Sequence, residues 1–359
     1  RFAAAPGVAS PIAQFMGSAP SFFMVSLGTS DFVAYAARGG DINQAPKPDA
    51  ATLGTYFAGI LATPTGLVGA NPIWKGVMST VPDLLAMPYF HFIAYNAIPL
   101  DAASATAANA GFASFNGILT GAAGAGLLTT SEAAARQLTW AAGNNAILIN
   151  DSTLTDLLPV WMALVGAGVI PADDLNMNGI PDAVEQLSPY RYARMATAND
   201  KPILSAQTVL GTAHPVYTTA TIGVSWPLED GYIMTAAELV EYETLRAAVN
   251  TSIKTYVAVA NSTVALNPAG LNRVALVDLD GTFAAWASSS PIINNGVVVT
   301  YDFAPPTGMF STDGIHLNAR GYALLANKWI DAINSHFGST IPAAKVGWYP
   351  GPALPVTVE

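Results

Sequence analysis

Asp313 and His316 stand three residues apart in the segment Phe310-Ser-Thr-Asp-Gly-Ile-His-Leu-Asn318. A catalytic imidazole needs a carboxylate to fix its tautomer and to stabilise the imidazolium that forms. An Asp and a His at this spacing, on a loop just ahead of a helix, meet that need within one turn. The plainer alternative is an Asp cap beside a surface His. A second candidate is Asp174, Asn176, Asn178, Gly179, Ile180, Asp182 and Glu185, which satisfies D-x-[DN]-x-[DN]-G-x5-E. Side-chain oxygens at loop positions one, three, five, nine and twelve suit Ca²⁺, with Gly179 for the sharp turn and the Ile180 carbonyl as a further ligand. Pro181 departs from helix–loop–helix loops, and an Asn/Asp-rich surface turn is the alternative.

These groups need a scaffold. Ser21 to Leu27 reads as a buried strand closed by Gly28, and Asp31 to Arg38 as a helix ended by Gly39 and Gly40. Gly76 onward reads as a second strand ended by Pro82-Asp83, and Ala146 to Asn150 as a third. Thr235 and Glu238 form a capping box that opens a helix from Ala236 to about Ala260. Val274 to Val277 is a strand ending at Asp278. Tyr322, Leu325, Trp329 and Ile333 mark a last helix, which Gly338 terminates. Strands alternating with helices predict an α/β fold with a mostly parallel sheet. Residues 101–142, rich in Ala, Gly and Thr, read as a helical insertion. Residues 157–170 are too short to span a bilayer and read as a core helix.

Asp313-Gly-Ile-His316, followed by Gly321-Tyr322 and the last helix, resembles the final block of the SGNH/GDSL hydrolase family. The segment from Pro20 to Gly40, with Gly28-Thr-Ser-Asp31, resembles the family's third block. Gly76 to Phe90 resembles the strand and loop after it, and Ala275 to Asp278 the strand before the last block. The resemblance covers both ends of the chain well and the middle thinly. It is closest to a large envelope lipoprotein-like branch in Bacteroidetes-type bacteria.

This resemblance implies a three-layer α/β/α, flavodoxin-like domain over residues 1–359, within which the residues themselves mark 101–142 as the insertion and 174–185 as the calcium loop. It implies a serine ester hydrolase in which Asp313 and His316 are triad members. Gly28 and Thr29 fall on the oxyanion and substrate stretch, and Ser30 takes the place of the family's oxyanion asparagine. The family's first block, which carries the nucleophilic serine, is not visible, so the domain reads as N-terminally incomplete. Gly28-Thr-Ser30 after a strand also fits a degenerate nucleophile elbow, with Ser30 itself as the nucleophile. A non-catalytic envelope subunit that binds or assembles on the same scaffold is the rival reading.

Composition limits the partners. Charged residues are 11% of the chain and hydrophobic ones 52%, which excludes a disordered protein. A net charge of -10 with 14 basic residues argues against nucleic acid. There is no cysteine, hence no disulfide or thiolate metal site. The sequence has no strand-linked G-x-G-x-x-G, P-loop or H-E-x-x-H, so catalysis is expected to need no cofactor, and Ca²⁺ is expected as a structural ion. The expected substrate is an ester of a lipid, an acylated glycan or a polyester. An extracytoplasmic place follows from the resemblance, secreted or at the outer membrane, anchored or assembled through an N-terminal segment. Arg1 reads as a mature or trimmed start. His91, His214 and His336 lack metal-ligand spacing and read as structural. Trp140, Trp161 and Trp226 read as core or as the lining of an apolar pocket.

Overall fold

The computed structural model describes residues 11–71, 73–264, 266–267 and 270–353. The chain is mixed α/β and divides into two compact units. The first draws its described residues from Arg1–Ala34, Lys47–Tyr89 and Tyr242–Glu359, the second from Tyr35–Pro46 and Phe90–Glu241.

The first unit is organised on three parallel strands, Phe22–Val25, Lys75–Ser79 and Val274–Val277, in that spatial order. The middle strand is buried from Gly76 to Ser79. A parallel strand covered on both faces reads as a continuous run of buried residues, and this one does. Phe23 lies opposite Gly76. A Cβ on Gly76 would come within 2.2 Å of the Phe23 ring, so the ring occupies the space a side chain would need. Arg273, fully buried, ties the approach to these strands. Its guanidinium donates to the carbonyls of Trp74, Val68 and Asn71.

Side-chain caps start the helices of this unit. Asp49 accepts from the N–H groups of Ala51 and Thr52 ahead of Ala50–Leu61. Asp278 accepts from Gly281 ahead of Leu279–Ser288, and Asn318 from Gly321 ahead of Ala319–Phe337. Gly338 closes the last helix in the left-handed conformation, φ 67°. The buried face of that helix is turned from the expected one. Tyr322 is half exposed, while Gly321, Ala323, Leu324, Asn327 and Ile333 are buried. The sequence pattern misses Asn327, a polar residue held inside because its amide pairs with both the N–H and the C=O of Ala344.

In the second unit, residues expected to form a helical insertion are the helices Ala102–Gly124 and Thr130–Ala135. Asp101 and Thr129 cap them. Phe112, Phe115, Trp140 and Trp161 build the core with Leu164, Ile170 and Val184. Trp161 is fully buried, so Leu157–Gly166 is a core helix. No helix among the described residues is long and apolar enough to cross a membrane. The strand expected at 146–150 is Leu148–Asn150, but it pairs antiparallel with Ala193–Met195 rather than joining the parallel sheet. Arg194 on the partner strand binds Asp151 through Nε at 2.6 Å and Asp200 through both terminal nitrogens at 2.7 Å.

The capping box forms as the sequence predicts. The Thr235 N–H donates to Glu238 Oε2 at 2.8 Å and the Glu238 N–H to Thr235 Oγ1 at 3.4 Å, opening the helix Ala236–Ser262. Burial pushes the Glu238 carboxyl up to about 7, with Asp230 and Asp151 adding to the shift. Burial likewise pushes Asp230 up to about 6, aided by Asp41 and Asp151, and one of its oxygens is buried without a partner. Tyr35 feels the same carboxylates, and Arg194 neutralises Asp151 and Asp200.

Acids whose folded pKa is raised stabilise the fold while protonated. Their contribution is present below the unfolded pKa and is lost as pH rises through about 6 to 7. The unfolding free energy from urea titrations is therefore expected to fall from pH 5 to pH 8 by roughly 2 kcal/mol, less than full linkage because both carboxyls keep some solvent access. Asp230→Asn is expected to flatten that slope; an unchanged slope contradicts the assignment.

Candidate active site

The Asp313 turn is held at both ends. Phe310 and Leu317, both buried, face each other across an antiparallel bridge. The Ser311 N–H donates to the His316 carbonyl at 2.7 Å, and the Gly314 N–H to the Ser311 carbonyl at 3.0 Å. Gly314 has φ 69°, and a Cβ there would lie 2.9 Å from the Tyr89 nitrogen. That close approach serves a bond, since the Tyr89 N–H donates to the Gly314 carbonyl at 3.1 Å. Asn318 fixes the far end. Its Nδ2 donates to the Gly308 and Phe310 carbonyls, while its Oδ1 caps the last helix.

Within this frame the carboxylate and the imidazole meet. The His316 Nδ1–H donates to Asp313 Oδ2 at 2.6 Å. Asp313 Oδ1 accepts from the Ile315 N–H at 3.0 Å, the His316 N–H at 2.9 Å and the Ser311 hydroxyl at 3.1 Å. Partial burial works to raise the Asp313 pKa. The Ile315 N–H, the His316 ring, the His316 N–H and Ser311 outweigh it and hold the carboxyl below its ordinary value. Engagement of Nδ1 leaves Nε2 as the basic nitrogen, on a side chain 68% exposed. The arrangement is that of a general base backed by an ionised carboxylate.

The other predicted residues lie at the carboxyl end of the first strand, where α/β sheets carry functional groups. Gly28 is buried at φ 93° with its Cβ position 3.2 Å from Val81. Thr29 and Ser30 open the helix Thr29–Ala36, whose Asp31 N–H donates back to the Gly28 carbonyl. Ser30 is exposed and is not among the hydrogen-bond partners of His316. Thr80 and Asn250 brace the neighbouring strand ends. Thr80 Oγ1 donates to Asp278 and accepts from the Asp280 N–H, and Asn250 clamps the N–H and C=O of Val81. Ser311, Asn318 and Tyr89 hold the site without belonging to its motif. The first two carry signals, a serine two residues before an aspartate and an asparagine directly before a helix. Tyr89 carries none, because its contribution is a backbone N–H.

The 174–185 loop folds on itself. Asp174 accepts from the N–H groups of Asn178 and Gly179, Asn176 Oδ1 from Asn178, and Asn178 Oδ1 from Ile180. Glu185 receives the amides of both Asn176 and Asn178, and Asp182 Oδ1 accepts from the Leu175 N–H at 3.3 Å. Among the described residues no group of three His, Cys, Asp or Glu is gathered as a metal site. The three carboxylates and two carboxamides of the loop are oxygen-bearing side chains, engaged here by N–H and amide groups of the loop itself.

The remaining histidines are scattered. His91 lies 3.2 Å from the Lys201 ammonium, His214 packs on Trp226, and His336 packs edge-on against Phe337. Trp140 and Trp161 are core, and Trp226 is half-buried. Comparison with protein-family models, with curated proteins and with solved structures returned no match.

Proposed function

We propose that the chain is a carboxylic-ester hydrolase of the SGNH/GDSL type on a three-layer α/β/α frame, acting outside the cytoplasm. The observation that carries this reading is the Asp313–His316 pair, bonded at 2.6 Å with Nε2 left to act. A serine hydroxyl attacks the ester carbonyl carbon and gives its proton to His316 Nε2. The imidazolium, stabilised by Asp313, then protonates the departing alkoxide. Water, deprotonated by the same nitrogen, releases the acid and restores the serine. The serine comes from a segment upstream or is Ser30. With an upstream serine, Gly28, Thr29 and Ser30 supply oxyanion donors; with Ser30 as the nucleophile, Gly28 and Thr29 do. Lipid, acylated-glycan or polyester esters are the substrate classes. Outer-membrane anchoring or an envelope complex through an N-terminal segment belongs to the same reading. The test is turnover of p-nitrophenyl esters, which must disappear in His316→Ala.

A non-catalytic binding or assembly subunit is the second reading. It is favoured by one observation, that Ser30 stands outside the hydrogen-bonded pair.

The 174–185 loop is proposed as a structural Ca²⁺ site formed by Asp174, Asn176, Asn178, Ile180, Asp182 and Glu185. Adding CaCl₂ to chelator-treated protein is expected to raise the melting midpoint by a few degrees, and Glu185→Gln to remove the effect. An unchanged midpoint contradicts it.

A further inference from the structure

The second unit contains a cavity of about 230 Å³ that the hydrolase reading does not use. Its walls include Ile222, Leu228, Trp226, Tyr232 and His214, and Glu229 is the one carboxylate that lines it. No lysine or arginine does. The volume holds about eight water-sized groups at ~30 Å³ each.

The aromatic wall is fixed in advance of any ligand. His214 Nδ1 accepts the N–H groups of Val216 at 3.2 Å and Tyr217 at 3.0 Å. The His214 ring lies 4.1 Å from that of Trp226, and Tyr217 stacks on Trp226 at 4.7 Å and 23°. Backbone bonds from Gly211 to Ile222, from His214 to Ala220 and from Gly223 to Trp226 brace the loop behind them. A wall already ordered costs little further entropy when a ligand arrives.

The lining also selects the ligand. Leu228 is fully buried, and the cavity surface is mainly aliphatic and aromatic. A hydrated metal ion would shed water there and find a single carboxylate, too few oxygens to replace its hydration shell. A free carboxylate would face Glu229 and a chain of net charge -10. A cation on a small apolar body escapes both penalties, since indole and phenol faces attract it and Glu229 complements its charge.

We infer that this cavity binds an organic ammonium group of choline size, with its methyls against Trp226 and Tyr232 and its charge toward Glu229. The site stands independently of ester hydrolysis. Titration calorimetry of the whole chain with choline, phosphocholine and the uncharged isostere 3,3-dimethyl-1-butanol tests it. Choline is expected to bind about tenfold more tightly than the isostere. Trp226→Ala is expected to abolish binding. Glu229→Gln, at an exposed position where the fold tolerates the change, is expected to bring choline and isostere to similar affinity. Phosphocholine binding as well as choline points to a lipid headgroup, and weaker binding to the free ammonium compound; either result supports the ammonium site. Equal affinity for choline and the isostere in the unaltered protein, or no saturation by millimolar choline, overturns it.

Discussion

Replacing His316 by alanine is expected to lower kcat/KM for p-nitrophenyl esters by about 10³-fold or more, and Asp313→Asn by a comparable factor. The two losses have different causes. Without the imidazole, no group accepts the proton of the attacking hydroxyl. In Asp313→Asn the ring remains, and an asparagine Oδ1 can still accept the Ile315 and His316 N–H groups that shape the turn. The amide nitrogen then faces His316 Nδ1 where Oδ2 stood. Two donors cannot share that contact, so the ring takes the opposite tautomer and Nε2 carries the proton it should receive. Folding is expected to survive both changes, because the pair is largely exposed. Ser311→Ala removes a single donor to Asp313 and is expected to cost less than about tenfold.

The largest effect on stability is expected at Arg194. Asp151 and Asp200 are 3% and 4% exposed, and Arg194 is the cation bonded to both. Arg194→Ala leaves two buried carboxylates without their partner, a loss of roughly 3–5 kcal/mol. The Thr197 N–H and hydroxyl and the Ala236 N–H still serve Asp200, so that side chain retains part of its solvation. Arg194→Lys is expected to rescue little, since an ammonium cannot reproduce a paired contact to Asp200 together with a third bond to Asp151. Urea unfolding of the three proteins at pH 7 measures this. A loss below about 1 kcal/mol in Arg194→Ala would show that the network is not what holds the second unit together.

Local chemistry was readable from the residues in order. The Thr235–Glu238 box, the Gly338 stop and the Asp313–His316 pairing each depend on groups within a few positions of one another. What was lost lies in long-range partnerships. A short apolar run such as Leu148–Asn150 is the same whether its neighbour runs parallel or antiparallel, so its place could not be read. Arg194, Asp151 and Asp200 are spread over some fifty positions and look like surface charges until the chain folds. Asn327 shifts the face of the last helix because its partner, Ala344, sits beyond the helix end. The nucleophile is the same kind of problem. The proposed mechanism needs a hydroxyl at Nε2 of His316, and no spacing in the sequence identifies it.

The most direct measurement is reaction of the protein with a fluorophosphonate probe, followed by mapping of the modified peptide. The proposed hydrolase should carry one phosphonylated serine, at Ser30 or on an upstream segment, and should lose the label in His316→Ala. A protein that stays unlabelled, or one labelled equally with and without His316, contradicts the assignment of Asp313 and His316 to a catalytic triad.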